Sequence, residues 1–220
     1  MTFSAIYSKI LNTIKSFRLN GDFLEHYFTN NKELKSEFRT LKYNYDTVQF
    51  NFTSDNGVFS KDRIDFGSRN LIETFLKHNN KKINNILDVG CGYGFMGIVL
   101  SKILNVEATL IDVNKRAVHL TEKNIKENKV NAKTYVSNIY ENVNGKYDLI
   151  ITNPPIRAGK KVVYDILMNA KNYLKEDGEL WFVIRKEQGA KSTMKALEDL
   201  YKIELVKKAS GFYIITAKID

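Results

Sequence analysis

The chain carries a single cysteine, Cys91, in 220 residues. No internal disulfide can form, which is compatible with a reducing compartment. It has two prolines, Pro154 and Pro155, and they are adjacent. No proline-rich linker divides the chain, and no repeat or low-complexity tract is visible. The three histidines, His26, His78 and His119, lie far from one another and from Cys91. No metal-ligand spacing results, so no metal is expected. No apolar run approaches the roughly 20 residues that a membrane-spanning helix needs. The N-terminus lacks the basic cluster, unbroken apolar block and small-residue cleavage site of a signal peptide. The chain reads as a soluble, cytoplasmic protein of one large domain, or one domain with an appendage. Acidic residues are in the minority, 25 against 34 lysines and arginines, for a formal net charge of +9. That balance favours an anionic partner, nucleic acid first, although a lysine-rich proteome gives the same balance.

What is present is ordered. Phe3, Ile6, Tyr7, Ile10, Leu11, Ile14 and Phe17 recur at helical spacing, so residues 1–24 are expected to form an amphipathic extension. Residues 25–66 follow as a substrate-side segment. Within it, 41–45 and 48–52 alternate apolar and polar residues on either side of Asp46-Thr47, the pattern of a hairpin. Ser68 is a candidate N-cap for a helix over 69–78. From Ile83 on, strands are expected at 83–88, 107–112, 132–136, 147–152, 178–184, 203–208 and 211–218. Helices fit at 95–104, 115–128, 162–174 and 189–201. Strands alternating with helices imply an α/β fold with a parallel sheet covered on both faces. The last two strands are too close for a crossover helix and must pair antiparallel.

The chain is organised around Ile86-Leu87-Asp88-Val89-Gly90-Cys91-Gly92-Tyr93-Gly94. An apolar strand runs into a glycine loop and then into a helix, whose N-terminus offers free N–H groups. A dinucleotide fingerprint reads G-x-G-x-x-G. Here Phe95 stands where the third fingerprint glycine would be. Asp88, two residues before Gly90, suits a ligand with positive charge or hydroxyls and repels a pyrophosphate. Asp112, ending the next strand, suits ribose hydroxyls. A ribose and a cation without phosphates describe S-adenosylmethionine. Cys91 reads as a small residue filling the loop rather than a nucleophile. After the third strand, the Asn138 amide can meet the adenine edge or simply make a turn.

Strand 147–152 runs into Asn153-Pro154-Pro155-Ile156. Successive prolines stiffen the loop at the carboxyl end of a strand, where α/β sheets bind ligands. The Asn153 side-chain oxygen and the Pro154 carbonyl can accept both hydrogens of an exocyclic amine. Such an amine is a poor nucleophile because its lone pair is delocalised. Two acceptors favour a pyramidal nitrogen and restore the lone pair for attack on a methyl sulfonium. Positioning and electrostatics then do most of the catalysis. Arg157, Lys160, Lys161, Arg185 and Lys186 follow strand ends and are candidate phosphate contacts.

These residues carry a resemblance. The sequence resembles the class I S-adenosylmethionine-dependent methyltransferases through Asp88–Gly94, Asp112 and Asn153-Pro154-Pro155. It is closer still to the small-domain branch of the bacterial 16S ribosomal RNA guanine-N2 methyltransferases. Gly57-Val58-Phe59-Ser60, Asp65-Phe66-Gly67-Ser68 and Asn153–Lys160 carry that match, with Gly178–Trp181 and Lys186–Ala190 extending it over roughly 25–220. The resemblance implies a Rossmann-like, seven-stranded sheet with a reversed last strand and a catalytic core over 67–220. It implies S-adenosylmethionine as cofactor, with Phe59, Ser60, Asp65, Val113 and Asn153 near it, and methylation of guanine N2 in small-subunit ribosomal RNA. A monomer is favoured. Two departures stand out. Ile156 replaces the tyrosine or phenylalanine that many amino-methyltransferases place after Asn-Pro-Pro, which leaves Phe59 and Phe66 as candidates to stack on the target. Larger members carry a second, degenerate domain in front, which the roughly 80 residues before Ile83 cannot form. Asn-Pro-Pro equally serves methylation of a protein glutamine or a DNA adenine. A cofactor-binding RNA assembly factor without turnover is the alternative of a different class.

Overall fold

The structure, a computed structural model, describes residues 35–219, and the amphipathic stretch over 1–24 lies outside the described residues. A hairpin comes first, β1 (Arg39–Tyr45) and β2 (Val48–Ser54), then helix α1 (Phe66–His78). The α/β body follows as β3 (Asn85–Val89), α2 (Phe95–Leu104), β4 (Glu107–Asp112), α3 (Lys115–Asn128) and β5 (Ala132–Val136). It continues as β6 (Tyr147–Thr152), α4 (Lys160–Asn169), β7 (Leu174–Arg185), α5 (Ala190–Leu197), β8 (Lys202–Ala209) and β9 (Phe212–Lys218).

The sheet has seven strands in the order β5-β4-β3-β6-β7-β9-β8. β9 runs antiparallel to both its neighbours, β7 and β8, and the other pairings are parallel. The expected reversed last strand is therefore present, inserted between β7 and β8. Period-2 alternation sends each strand's side chains to two separate cores. Ile86, Leu110, Ile151 and Val183 pack with α1, α2, α3 and the hairpin. Leu87, Ile111, Ile150 and Phe182 pack on the other face with α4 and α5.

Several boundaries move. The head of α1 is capped by Asp65, not Ser68. The Asp65 side chain accepts the Ser68 N–H at 2.7 Å, so Ser68 is the third helical residue. The helix expected over 162–174 stops at Asn169, and a single 3-10 turn, Ala170–Asn172, leads directly into β7. β7 starts four residues earlier than expected because Tyr147 pairs with Leu174. The hairpin docks by Phe50 and Phe52, both fully buried; the Phe52 ring meets Phe95 and Tyr93, and the Tyr43 ring meets Phe95. The outer edge of β2 is closed by two helix side chains. Asn124 on α3 pairs with both the N–H and the C=O of Thr53, and Asn128, one turn on, does the same for Asn51. Each amide imitates a neighbouring strand.

Candidate active site

Chain direction reverses at β3. The connections after it run to β4 and β5 on one side, and β6 returns on the other. The carboxyl ends of β3 and β6 therefore flank a topological switch point, where such sheets bind ligands. Register pairs Asp88 with Ile151, and the Thr152 hydroxyl donates to the Val89 carbonyl at 2.8 Å. That bond fastens the Asn153 loop to the glycine loop.

The glycine loop is built by its backbone. Gly90 and Gly92 sit at φ +73° and +59°, in the left-handed region. A Cβ at either would meet no atom within 4 Å, so the loop leaves open space beside its backbone. The Gly90 and Cys91 N–H groups donate to Ile111, and the Gly92 N–H to Asp112 Oδ2 at 2.9 Å. Thr121 and Asn124 of α3 hold the Gly92 and Tyr93 carbonyls. Cys91 is buried, and burial pushes its thiol well up, as a space-filling residue requires.

A cleft opens above the ends of β3, β4 and β5. It brings together five residues expected from sequence, Gly90, Asp112, Val113, Asn138 and Pro155, with Ile139, Val162 and Ile166 as apolar wall. Asp112 is partly exposed here and accepts the Gly92 and Asn114 N–H groups through different oxygens. Burial still raises its pKa. Asn138 is exposed, and its amide N–H donates to Glu141 at 2.8 Å, leaving its oxygen as a free acceptor. Ile139 escaped the sequence reading. It has φ +52°, an expensive conformation for a β-branched side chain, held by the Ser137 hydroxyl donating to its carbonyl. Its position after Asn138 was the available signal, but turn strain has no sequence mark in an isoleucine.

Asp88 is placed differently from its sequence reading. It is fully buried beneath the loop and does not line the cleft. Its Oδ2 accepts the Gly97 N–H at 2.8 Å, so it caps α2 in place of Gly94, which has no side chain to do so. Its Oδ1 has no partner among the described residues. Burial, with a smaller push from the Asp112 charge, raises its pKa to about 7.

On the β6 side, Asn153 is half-buried, Pro154 buried, and Ile156 begins a 3-10 turn through Ala158. The Asn153 amide N–H₂ donates to Asp65 Oδ2 at 3.1 Å and Ser68 Oγ at 2.9 Å. Asp65, expected beside the cofactor, thus serves α1 and Asn153. Phe66 falls between those two partners in sequence and is 36% exposed, with its ring 5.7 Å from Phe212 and the Arg69 guanidinium over it. Phe59 is 64% exposed on a loop held to the β4–α3 turn by Asn114 and Arg116, which donate to the Gly57 and Asn56 carbonyls. Ser60 closes a turn on that loop by donating to Arg63.

The five cations are not equivalent. Arg157, Lys160, Lys161, Arg185 and Lys186 are all exposed. Lys161 pairs with Asp165 one turn along α4, and Lys160 lies over the Tyr164 ring. Arg185 pairs with Glu187 and covers Phe212 at 4.4 Å. No cluster of histidine, cysteine and carboxylates that could hold a metal occurs among the described residues. No described helix is long and apolar enough to cross a membrane.

Comparison with known proteins gives a consistent picture. Residues 49–216 match the family described as "Methyltransferase small domain". The chain is 45% identical over 199 residues to the uncharacterized protein YbxB of Bacillus subtilis (strain 168), covering 88% of this chain and 98% of that protein. It is 34% identical over 169 residues to ribosomal RNA small subunit methyltransferase C of Haemophilus influenzae (strain 86-028NP), covering 73% of this chain and 50% of that protein. The chain thus spans about half the length of that relative. Among solved structures, the T. thermophilus 16S rRNA N2 methyltransferase in complex with AdoMet and guanosine superposes with a TM-score of 0.76 at 21% identity. It covers 84% of this chain and 52% of that one, and at this identity it speaks to the fold.

Proposed function

The chain belongs to the methyltransferase small domain family, and from that premise we propose that it transfers a methyl group from S-adenosylmethionine to the exocyclic N2 of a guanine in small-subunit ribosomal RNA. The observation that carries this reading is the meeting of the glycine-loop cleft and Asn153 at one switch point, fastened by Thr152. The residues lining the cleft suit the cofactor's chemistry. Asp112 offers acceptors for ribose hydroxyls, and Ile139 and Val162 offer apolar surface for a purine. The open space beside Gly90 and Gly92 admits a ligand to the backbone. Two carboxylates, Asp112 in the cleft and the buried Asp88 with its unpartnered Oδ1 beneath the glycine loop, suit a ligand that brings positive charge. When bound, S-adenosylmethionine supplies an electrophilic methyl group.

The protein's part is to hold the acceptor. Asn153 Oδ1 and the Pro154 carbonyl take the two amine hydrogens and keep the nitrogen lone pair out of conjugation. The amine needs no base before attack, because it becomes acidic once methylated. Phe66 is a better candidate than Phe59 to stack on the base, since it is the chain neighbour of Asp65, which holds Asn153. Arg157 and Lys186 are the best candidates for phosphate contacts, being exposed and outside the ion pairs that engage Lys161 and Arg185. Guanine in a duplex would have to be extruded or met before the RNA is fully assembled.

The test is methyl transfer from labelled cofactor to small-subunit RNA, DNA and protein fractions, with the modified nucleotide mapped. Label in N2-methylguanine supports the reading. Label confined to DNA adenine or protein glutamine replaces it. Cofactor binding without transfer to any fraction replaces it with a non-catalytic assembly role. Phe66→Ala is expected to lower kcat/KM for RNA about tenfold, in line with about 1–3 kcal/mol for a stacked base, with cofactor affinity unchanged by titration calorimetry.

Cofactor affinity should also depend on pH. Without ligand, Asp88 is largely protonated below its pKa of about 7. A cationic ligand favours the ionised form, so the dissociation constant falls as pH rises through 7. Between pH 6 and 8 the expected gain is up to about tenfold, the inverse of the ionised fraction at pH 6. Binding near pH 6.5 should release a proton, measured by calorimetry in buffers of different ionisation enthalpy. Asp88→Asn should flatten the profile.

A further inference from the structure

We propose that Asp65 and Ser68, at the head of α1, fix which way the Asn153 amide faces and are positioning residues for the acceptor amine. This rests on Asn153 being the group that receives that amine.

An asparagine side chain has a donor end and an acceptor end of nearly the same shape, and either can face a ligand. For this reaction the two choices are opposite in effect. The oxygen accepts a hydrogen from the incoming amine, whereas the N–H₂ would point donor against donor. The structure removes the choice. Asn153 Nδ2 lies 3.1 Å from Asp65 Oδ2 and 2.9 Å from Ser68 Oγ. A carboxylate can only accept, so the atom facing Asp65 must be the nitrogen. Both amide hydrogens are then used, and Oδ1 is left as the group's open acceptor. A bond to a charged acceptor also draws positive charge to the N–H₂ and enriches the oxygen across the conjugated amide.

The clamp is itself held. Asp65 Oδ2 takes the Ser68 N–H at 2.7 Å, so the capping bond that starts α1 also sets the carboxylate. The helix head is seated by Gly67, where a Cβ would come within 2.8 Å of the Phe212 ring. Asp65 stands 88 residues from Asn153 in sequence, so the pair joins the hairpin side of the molecule to the end of β6.

The experiment combines steady-state methyl transfer with NMR of the Asn153 side-chain amide, assigned by its loss in Asn153→Asp. In the wild type without substrate, both amide protons are expected to exchange slowly. Ser68→Ala keeps the backbone capping bond and removes one acceptor. It should lower kcat roughly tenfold with KM and cofactor affinity nearly unchanged. Asp65→Ala should speed amide exchange and lower kcat at least as much. Asp65→Asn keeps an oxygen at the same place and should restore kcat to within about threefold of wild type, a rescue that loss of helix stability alone would not give. Amide exchange unchanged by Asp65→Ala, or wild-type kcat in both Ser68→Ala and Asp65→Ala, overturns the proposal. Absence of transfer by the wild type to any acceptor overturns the functional reading instead, while the exchange data still report on the clamp.

Discussion

Asn153→Ala is expected to lower kcat for methyl transfer by about 10²–10³-fold, the cost of losing one preorganised hydrogen-bonding group at a reacting centre. The side chain offers one oxygen at the end of β6, and the neighbouring Pro154 carbonyl is fixed by two successive ring-locked residues. Removing the first leaves a single acceptor, which cannot hold both hydrogens of the amine and so cannot keep its lone pair out of conjugation. Cofactor affinity should stay within about twofold, because the cleft is built by Gly90, Asp112 and the strand ends around them. Single-turnover rates and titration calorimetry separate the two effects. A fall confined to cofactor affinity would place Asn153 in the cofactor site instead. Asn153→Asp should be no milder than alanine despite its shape. It offers no N–H to Asp65 or Ser68 and sets a second carboxylate against Asp65.

Much of this site is readable in the sequence because it is made of local chemistry. Gly90 and Gly92 are needed at positive φ, and no other residue type enters that region as cheaply. Asp112 and Asn153 end apolar strands, and strand ends are where a parallel sheet presents functional groups. What the sequence leaves open depends on contacts between distant elements. Asp65 and Ser68 are both good caps three residues apart, and their order is decided by the seating of α1 against Phe212 and Asn153. Asp88 shows its acid but not its depth. Only the fold reveals that α2 lies over it and that its partner is the Gly97 N–H. Residues 175–177 fall between an expected helix and an expected strand, yet they belong to β7. There Gly178 lies so close to the Tyr147 carbonyl that a Cβ would fall 2.7 Å from it. Backbone approach of that kind is invisible in residue type alone.

The same limit hides a polar residue whose loss should cost the fold heavily. Asn124→Ala is expected to destabilise the protein by about 3–4 kcal/mol, near the upper range for single substitutions. In sequence it is a polar position on an amphipathic helix. In the structure it is fully buried and serves three backbone groups, the Thr53 N–H at 2.8 Å, the Thr53 carbonyl at 3.0 Å and the Tyr93 carbonyl at 2.8 Å. Alanine leaves all three without these partners in a dry interior, at about 1–3 kcal/mol for each group that stays unsatisfied. Partial solvation of the loosened hairpin limits the sum. Asn128→Ala, half-buried and one turn away, should cost about 1 kcal/mol, because water can replace its bonds to Asn51. Urea unfolding measures both, and near-equal losses would argue against burial as the cause. The effect should reach the site. Asn124 joins the glycine loop at Tyr93 to the hairpin at Thr53, and the segment after β2 carries Phe59 and Asp65. Cofactor affinity and kcat should therefore fall together in Asn124→Ala at temperatures where the protein is still folded, whereas Asn153→Ala lowers kcat alone.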